Sequence, residues 1–161
     1  MAASLVDQDF AVERGTSDDL DHVMAVMDKA FGTHYGEAWT RSQCAGILPM
    51  TGVSLRLARG RVSGEPVGFS LSRSVLDDSE LLLIAVHPDY QHRGVGRFLL
   101  EDFVEQAKIN GVRTAHLEVR DGNRAMAMYL NAGFTPIGRR SKYYHARDGR
   151  ALDALTFMRK I

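Results

Sequence analysis

The stretch of sequence that decides the fold runs from Leu81 to Leu100 and reads LLLIAVHPDYQHRGVGRFLL. Its first six residues are apolar on both faces of a strand, which predicts a central strand in a covered sheet. A loop then leads through Gly94-Val95-Gly96 into an apolar helical pattern. Glycines let a ligand approach the backbone closely, and free N–H groups at a helix N-terminus bind anions. The stretch therefore predicts a site for a pyrophosphate or polyphosphate, flanked by Arg93 and Arg97.

Two well-known phosphate loops fit this stretch poorly. A Walker A loop needs Gly, four residues and Gly-Lys-Ser/Thr, and the chain lacks that pattern. A dinucleotide-binding loop needs Gly-x-Gly-x-x-Gly directly after the strand. Here residues 87–93 separate Val86 from Gly94, and Leu99 stands in the third glycine position. A turn that only caps the helix is a further alternative, but it leaves the residues from Gln91 to Arg97 unexplained.

Outward from this stretch, the chain predicts a mixture of strands and helices. Thr16 and Ser17 are N-cap candidates before an amphipathic helix, and Thr40 with Gln43 forms a capping box for a second helix. A strand, helix and strand of this length imply a parallel pair with a right-handed crossover. The predicted elements are strand 10–14, an amphipathic helix with apolar positions from Leu20 to Phe31, a helix from 41 that ends before Pro49, strands 53–59, 67–75 and 80–86, a helix that follows Gly94-Val95-Gly96 and is closed by Asn110-Gly111, strand 114–120, a helix from about 124 to 132, and strands 134–146 and 151–159, the last two joined by Asp148-Gly149.

The composition is that of one globular domain covering residues 1–161. With 45% hydrophobic and 25% charged residues, it excludes disordered, collagen-like and disulfide-rich classes. Cys44 is the single cysteine, and the six histidines lack the spacing of metal ligands, so we expect no metal. Met1 to Phe10 lack a leader pattern and no apolar run is long enough to span a membrane. We therefore expect a cytoplasmic protein without a membrane partner, and the sequence leaves the oligomeric state open.

The net charge is zero, but the two halves of the chain differ. Residues 1–80 hold 7 basic and 12 acidic residues, a net charge of −5, whereas residues 81–161 hold 13 and 8, a net charge of +5. The overall balance excludes a strongly basic nucleic-acid binder, so no nucleic-acid partner is expected. The asymmetry predicts either two different partners or one anionic ligand bound by the second half.

The loop residues Gln91-His92-Arg93-Gly94-Val95-Gly96 resemble the Gln/Arg-x-x-Gly-x-Gly/Ala pyrophosphate loop of the GNAT superfamily of N-acetyltransferases. The resemblance extends through the strand LLLIAV, the segment LEVR at 117–120 and the segment YLNAGF at 129–134. Within the superfamily, the chain is most similar to ribosomal-protein-alanine N-acetyltransferases, through IAVHP at 84–88, RSKYY at 140–144 and DGR at 148–150.

The resemblance implies a single α/β domain with a mixed, mostly antiparallel sheet, a central parallel strand pair and helices on both faces. It also implies acetyl-CoA as the cosubstrate. The family residues that contact this coenzyme correspond here to Ile84, Ala85, Val86, Gln91, His92, Arg93, Gly94, Val95, Gly96, Arg97 and Asn123. The chain departs from the family in one respect. It has one residue fewer between Asn123 and Tyr129, so one of these two is displaced.

The resemblance assigns two catalytic residues. Glu118 matches the family's general base, and its alternative role is an exposed strand glutamate paired with a nearby arginine. Tyr129 matches the tyrosine that protonates the thiolate of the coenzyme, and its alternative role is packing. His116 shares a strand face with Glu118, whereas Cys44 is expected to be a small buried residue without a catalytic role.

Three residues match the acceptor side of related N-terminal acetyltransferases: Trp39, Tyr143 and Tyr144. A core position is the alternative for Trp39. Because adjacent strand residues point to opposite faces, at most one of the two tyrosines is expected to face the cleft. The resemblance predicts acetyl transfer to the N-terminal α-amine of a protein. Transfer to a lysine or a small amine, and a non-catalytic acyl-CoA-binding module, are the alternatives.

Overall fold

A seven-stranded mixed sheet forms the centre of the computed structural model, which describes residues 8–32 and 34–161. The segment 1–7, part of the region without a leader pattern, lies outside the described residues. The strands are β1 (Phe10–Arg14), β2 (Val53–Gly60), β3 (Pro66–Val75), β4 (Asp78–Val86), β5 (Thr114–Arg120), β6 (Thr135–His145) and β7 (Ala151–Lys160). The helices are α1 (Leu20–Phe31), α2 (Arg41–Ile47), α3 (Val95–Ile109) and α4 (Met126–Asn131).

The sheet order is β1-β2-β3-β4-β5-β7-β6, which places β4 at the centre as the apolar run predicts. In this sheet every neighbouring pair is antiparallel except β4 and β5, which run parallel. The predicted order of elements and the parallel pair are therefore confirmed.

Local signals start and end the helices where the sequence indicates. Thr16 forms a capping box with Asp19 at a short 3-10 turn that leads into α1. Thr40 forms the second box, in which its hydroxyl accepts from Gln43 N at 3.2 Å while the Gln43 side chain accepts from Thr40 N at 2.8 Å. At the end of α3, Gly111 has a left-handed φ of +72°, which favours glycine.

Helices cover both faces of the sheet. On one face, α1 and α2 pack against β2, β3 and the end of β4. On the other face, α3 and α4 pack against β5, β7 and the start of β4. Leu82 is an extra residue in β4, between the pairs Leu71–Leu83 and Ser72–Leu81. At this point the alternation of β4 side chains between the two faces of the sheet shifts by one residue. This β-bulge explains why Leu81 and Leu83 belong to opposite cores.

The same part of β4 is where the central strands separate. Pairing of β4 with β5 begins at Asp78 and ends at Leu81, opposite Leu117. Beyond this point β5 continues to pair with β7 through Arg120, whereas β4 continues to pair with β3 through Val86. The sheet therefore opens along one strand boundary, and this opening positions the candidate site.

Candidate active site

A cavity of about 980 Å³ lies where β4 and β5 separate. Its walls include the ends of both strands, the loop after β4, the start of α3, the segment before α4, and the loop between α1 and α2. This volume lies at the upper end of the range of small-molecule sites. Ile84, Ala85 and Val86 line it, and their strand has no β5 partner at this level.

The glycine loop forms one end of the cavity. Gly94 precedes α3 with a left-handed φ of +84°, and His92 also has a left-handed φ, of +60°. The N–H groups in the first turn of a helix have no intrahelical acceptor, so this end of α3 presents donors. A Cβ at Gly96 would lie 3.4 Å from the Met128 sulfur. The predicted residues Gln91, His92, Gly94, Gly96 and Arg97 line the cavity.

The side chains of two predicted loop residues, Val95 and Arg93, point away from the cavity. The Val95 side chain is fully buried in the core with Leu99. The Arg93 guanidinium lies over the rings of Phe10 and Tyr90, at 5.1 and 5.4 Å from their centroids. Neither residue is among those that line the cavity. The periodicity of the sequence does not reveal this, because the tight loop turns neighbouring side chains in different directions.

Glu118 lines the cavity from β5, on the face opposite the buried Leu117 and Val119. Its carboxylate pairs with Arg140, whose Nε lies 2.8 Å from Glu118 Oε1. The glutamate side chain is 18% exposed and the arginine side chain 61%. The arginine pairing foreseen as the alternative role therefore exists, at a glutamate that lines the cavity.

Tyr129 lines the same cavity from α4, which packs on the other face of the sheet. Its ring contacts Phe134 and Phe157, with centroid distances of 6.5 and 6.3 Å. Burial raises the pKa of Tyr129 well above its ordinary value, and the charge of Glu37 raises it further. The phenol is thus a group that keeps its proton.

The sequence reasoning missed Glu37, which lies in the loop between α1 and α2 and lines the cavity. It accepts from Arg120 Nε at 3.0 Å and from Asn123 Nδ2 at 3.1 Å. The Asn123 side-chain oxygen accepts in turn from Ala125 N at 2.8 Å. Asn123 lines the cavity as predicted, but its amide contacts protein groups at both ends. No pattern in the sequence links residue 37 to residues 120 and 123.

Both Tyr143 and Tyr144 line the cavity, so the expectation that at most one of them faces it is wrong. Residues 141–143 of β6 lie opposite Asp153 alone, and Lys142 has a left-handed φ of +53°. This irregularity breaks the alternation of side chains. The two rings meet edge to face, 5.0 Å apart, and burial raises the pKa of Tyr144 to about 12.

Trp39 packs against the core below α1 and also lines the cavity, so its position is compatible with both alternatives, and its role toward an acceptor stays a prediction. His116 is not among the cavity residues, and its Nδ1 lies 3.1 Å from an Asp78 carboxylate oxygen. Cys44 is buried, as predicted, and burial raises the pKa of its thiol.

Two features are absent from residues 8–32 and 34–161, the part of the chain that the structure describes. No group of three or more His, Cys, Asp or Glu side chains there is arranged to hold a metal ion. Within the same part of the chain, no helix combines the length and the apolar character needed to cross a bilayer.

Comparison with known proteins gives a consistent result. Residues 56–136 match the model of the acetyltransferase (GNAT) domain. The chain is 34% identical over 130 residues to the ribosomal protein bS18-alanine N-acetyltransferase of Escherichia coli, a match that covers 80% of this chain and 77% of the relative. It is 38% identical over 104 residues to the N-alpha-acetyltransferase RimI of Mycobacterium tuberculosis, covering 62% of each. The crystal structure of the Escherichia coli enzyme superposes with a TM-score of 0.86 at 29% identity, covering 94% of both chains.

Proposed function

The chain belongs to the GNAT acetyltransferase family, and we propose on this basis that it acetylates the N-terminal α-amine of a protein, with a ribosomal protein as the acceptor. Family membership makes it an acetyl-CoA-dependent N-acetyltransferase. The choice of acceptor is supported by the two relatives named above, one of which acts on an alanine of ribosomal protein bS18 and the other on an α-amine. A ribosomal acceptor would in turn imply a cytoplasmic location.

The observation that carries this proposal is the single cavity shared by the strand opening, the glycine loop, Glu118 and Tyr129. Acetyl-CoA supplies an activated acetyl thioester at the end of a long arm that carries phosphates and amides. The N–H groups at the start of α3 suit the phosphates. The edge of β4 at Ile84, Ala85 and Val86 suits the amides, because no β5 strand pairs with it there. The residues present therefore fit this cosubstrate.

The other loop residues contribute in different ways. Gln91 Nε2 donates to Val86 O at 3.1 Å, which ties the loop to the end of β4. Arg97 lines the cavity and pairs with Glu101 at 2.7 Å. Because the Arg97 side chain is 78% exposed, this ion pair is weak, and Arg97 can leave it to turn toward a phosphate. Arg93 would support the loop through Phe10 and Tyr90 instead of binding a phosphate directly.

Glu118 is proposed as the general base. A free α-amine has a pKa of ~8, against ~10.4 for lysine, so removing its proton is a modest task for a carboxylate or a carboxylate-bound water. The Arg140 guanidinium shows that a cationic donor binds Glu118 Oε1 at 2.8 Å. An incoming ammonium group would take this place while the largely exposed Arg140 swings into solvent.

Tyr129 is proposed as the general acid that donates its phenolic proton to the departing thiolate and regains a proton from solvent after the thiol leaves. A phenol suits this role when it is protonated at the working pH, and burial raises the pKa of Tyr129. Backbone N–H groups along Ile84, Ala85 and Val86 would donate to the acetyl oxygen as negative charge develops there. The two side chains reach the cavity from opposite faces of the sheet.

Trp39, Tyr143 and Tyr144 are proposed to form the acceptor side of the cavity. They lie near Glu37 and Glu118, the acidic residues that line this cavity. Two carboxylates and three aromatic rings suit a cationic N-terminus followed by an apolar side chain.

A thiol-release assay tests the acceptor class directly. The panel compares a peptide with a free N-terminal alanine, the same peptide with a blocked N-terminus and an internal lysine, and a set of small amines. We expect turnover with the first peptide only. Turnover with the blocked lysine peptide or with small amines would assign another acceptor, and binding of acetyl-CoA without any transfer would indicate a binding module.

A further inference from the structure

Glu37 contacts two segments that hold the proposed catalytic residues. Its Oε1 accepts from Arg120 Nε at 3.0 Å, two residues after Glu118 on β5. Its Oε2 accepts from Asn123 Nδ2 at 3.1 Å, in the turn that leads into α4. We propose that Glu37 is a positioning residue that ties the loop between α1 and α2 to this turn, and so sets the place of Tyr129 in the cavity.

The contacts extend from Glu37 into the helix that carries Tyr129. The Asn123 side-chain oxygen accepts from Ala125 N at 2.8 Å, and its main-chain oxygen accepts from Met126 N at 3.2 Å. Tyr129 follows in the next turn, where its N–H donates to Ala125 O at 3.2 Å. The orientation of the Asn123 side chain thus affects the first residues of α4 directly.

The two carboxylates of the cavity, Glu37 and Glu118, are similarly buried, but their arginine partners differ in exposure. The side chains of Glu37 and Arg120 are 14% and 12% exposed, whereas the Arg140 partner of Glu118 is 61% exposed. Both Glu37 oxygens accept from fixed donors. Removing one partner of a buried charge pair is costly, so this contact keeps its place during turnover. Because both of its oxygens already accept hydrogen bonds, Glu37 is suited to hold its neighbours in place.

The loop itself is held at several points. The Arg120 guanidinium lies 3.7 Å from the Tyr35 ring centroid, and Arg147 N donates to His34 O at 2.7 Å. The same loop contains Trp39, on the proposed acceptor side. Glu37 therefore connects the part of the protein that meets the acceptor to the part that holds the proposed acid.

An exchange of the two side chains tests the connection. In Glu37→Gln, the new side-chain amide places a second donor opposite the donor of Asn123. In Asn123→Asp, the new carboxylate lies opposite the carboxylate of Glu37. In the double variant, the glutamine amide donates to the aspartate, whose other oxygen still accepts from Ala125 N. The total charge is unchanged, and every contact has a donor and an acceptor again. Glu105→Gln, in an exposed pair with Lys108 at 4.0 Å, is the matched control.

We expect each single variant to lower kcat by about tenfold with the KM for acetyl-CoA within twofold, because a small displacement of a catalytic group costs rate. In each single variant, repulsion at residue 37 should displace the side chain of residue 123 from Ala125 N, so amide hydrogen exchange at Ala125 should accelerate by up to about fivefold, the factor for one hydrogen bond. The double variant should recover both quantities, while the control stays like the wild type. Thermal unfolding midpoints show that each variant is folded.

Three results would overturn the inference. A double variant as slow as the slower single variant would show that the contact is not the cause. Unchanged kcat in Glu37→Gln would remove Glu37 from the function. A raised KM for acetyl-CoA at unchanged kcat in Asn123→Asp would assign Asn123 to the coenzyme. The inference rests on the proposed role of Tyr129, and if the wild type transferred no acetyl group that role would fail, while exchange at Ala125 would still decide whether Glu37 holds α4.

Discussion

Each of two carboxylates in the cavity is paired with an arginine, but the two pairs differ in exposure. The Glu118–Arg140 pair involves an arginine that is 61% exposed, and exposed ion pairs contribute little to stability, roughly 0–1 kcal/mol. The Glu37–Arg120 pair is largely buried, and breaking such a pair by removing one partner costs about 3–5 kcal/mol. The first pair can therefore open for a substrate amine, whereas the second holds the site together.

The role of Glu118 is tested by Glu118→Gln. This change removes the base while keeping the size of the side chain, so kcat should fall by about 100-fold or more. The dissociation constant of acetyl-CoA should stay nearly unchanged, because Glu118 belongs to the amine side of the cavity. Steady-state kinetics and calorimetric binding measure the two quantities, and an unchanged kcat would remove Glu118 from the mechanism.

Two control variants accompany this test. Arg140→Gln breaks the same ion pair but leaves the carboxylate in place, so it should retain turnover. Glu80→Gln changes a carboxylate on β4 that is not among the cavity residues, and it should behave like the wild type. A loss in Arg140→Gln equal to the loss in Glu118→Gln would mean that the ion pair matters and not the base.

The proposed acid predicts a particular pH dependence. Burial raises the pKa of Tyr129, so the protonated phenol persists as the pH rises through ~10, the ordinary value for tyrosine. The kcat/KM for the acceptor should rise as the α-amine loses its proton near pH ~8 and should not fall again below pH ~10. Tyr129→Phe should lower kcat by about 100-fold without changing the pH at which kcat/KM rises.

The matched control for this prediction is Tyr90→Phe, a tyrosine in the turn before the glycine loop that is not among the cavity residues. It should keep the wild-type profile. A descending limb between pH 8 and 10 in the wild type, absent in Tyr129→Phe, would show that Tyr129 loses its proton too early to act as proposed.

At the scale of the elements, each of α1 to α4 and β1 to β7 was predicted from the sequence within a few residues. The capping boxes, the apolar run of β4 and the Asn110-Gly111 ending are local signals, and local signals survive folding. Two features of the sheet could not be predicted from local signals. The bulge at Leu82 and the irregularity at residues 141–143 depend on partners in other strands, so a regular alternation is the wrong expectation there.

The glycine loop can be tested with a matched pair at the two ends of α3. Gly94→Asp adds bulk and negative charge at the proposed phosphate site, where φ is +84°, and should abolish acetyl-CoA binding. Gly111→Asp places the same residue at a φ of +72°, with no atom within 4 Å of the added Cβ. It carries the same type of backbone strain and should retain binding.

Calorimetric titration with acetyl-CoA distinguishes the two variants. Binding by Gly94→Asp at wild-type affinity would reject the site at this end of α3. Equal loss in both variants would attribute the effect to backbone strain and not to the position of the loop.

At the scale of the whole molecule, the zero net charge is a balance between two halves of the chain that both line the cavity. The basic half supplies the start of α3, while the acidic half supplies α1, α2 and the loop that contains Glu37. The net charge of each half can be counted in the sequence, whereas no sequence pattern points to Glu37. That residue meets partners 83 and 86 positions away, which only the fold brings together.

This arrangement predicts a salt dependence. Coenzyme phosphates bound by cationic groups are screened by added salt, so the dissociation constant of acetyl-CoA should rise between low and high ionic strength. Arg124 also lines the cavity, so Arg124→Gln should make the dissociation constant of acetyl-CoA depend less on salt concentration. Calorimetric titration with acetyl-CoA at several salt concentrations checks the wild type and Arg124→Gln. An affinity of the wild type that is independent of salt would contradict the assignment of the phosphates to the basic half of the chain.

The most direct test of the account is to locate the transferred acetyl group by tandem mass spectrometry. The substrate is a ribosomal-protein peptide that has both a free N-terminal alanine and an internal lysine, incubated with acetyl-CoA and the wild-type protein. The account predicts acetylation at the α-amine alone, and its loss in Glu118→Gln. Acetyl on the lysine side chain, or an unmodified peptide, would contradict it.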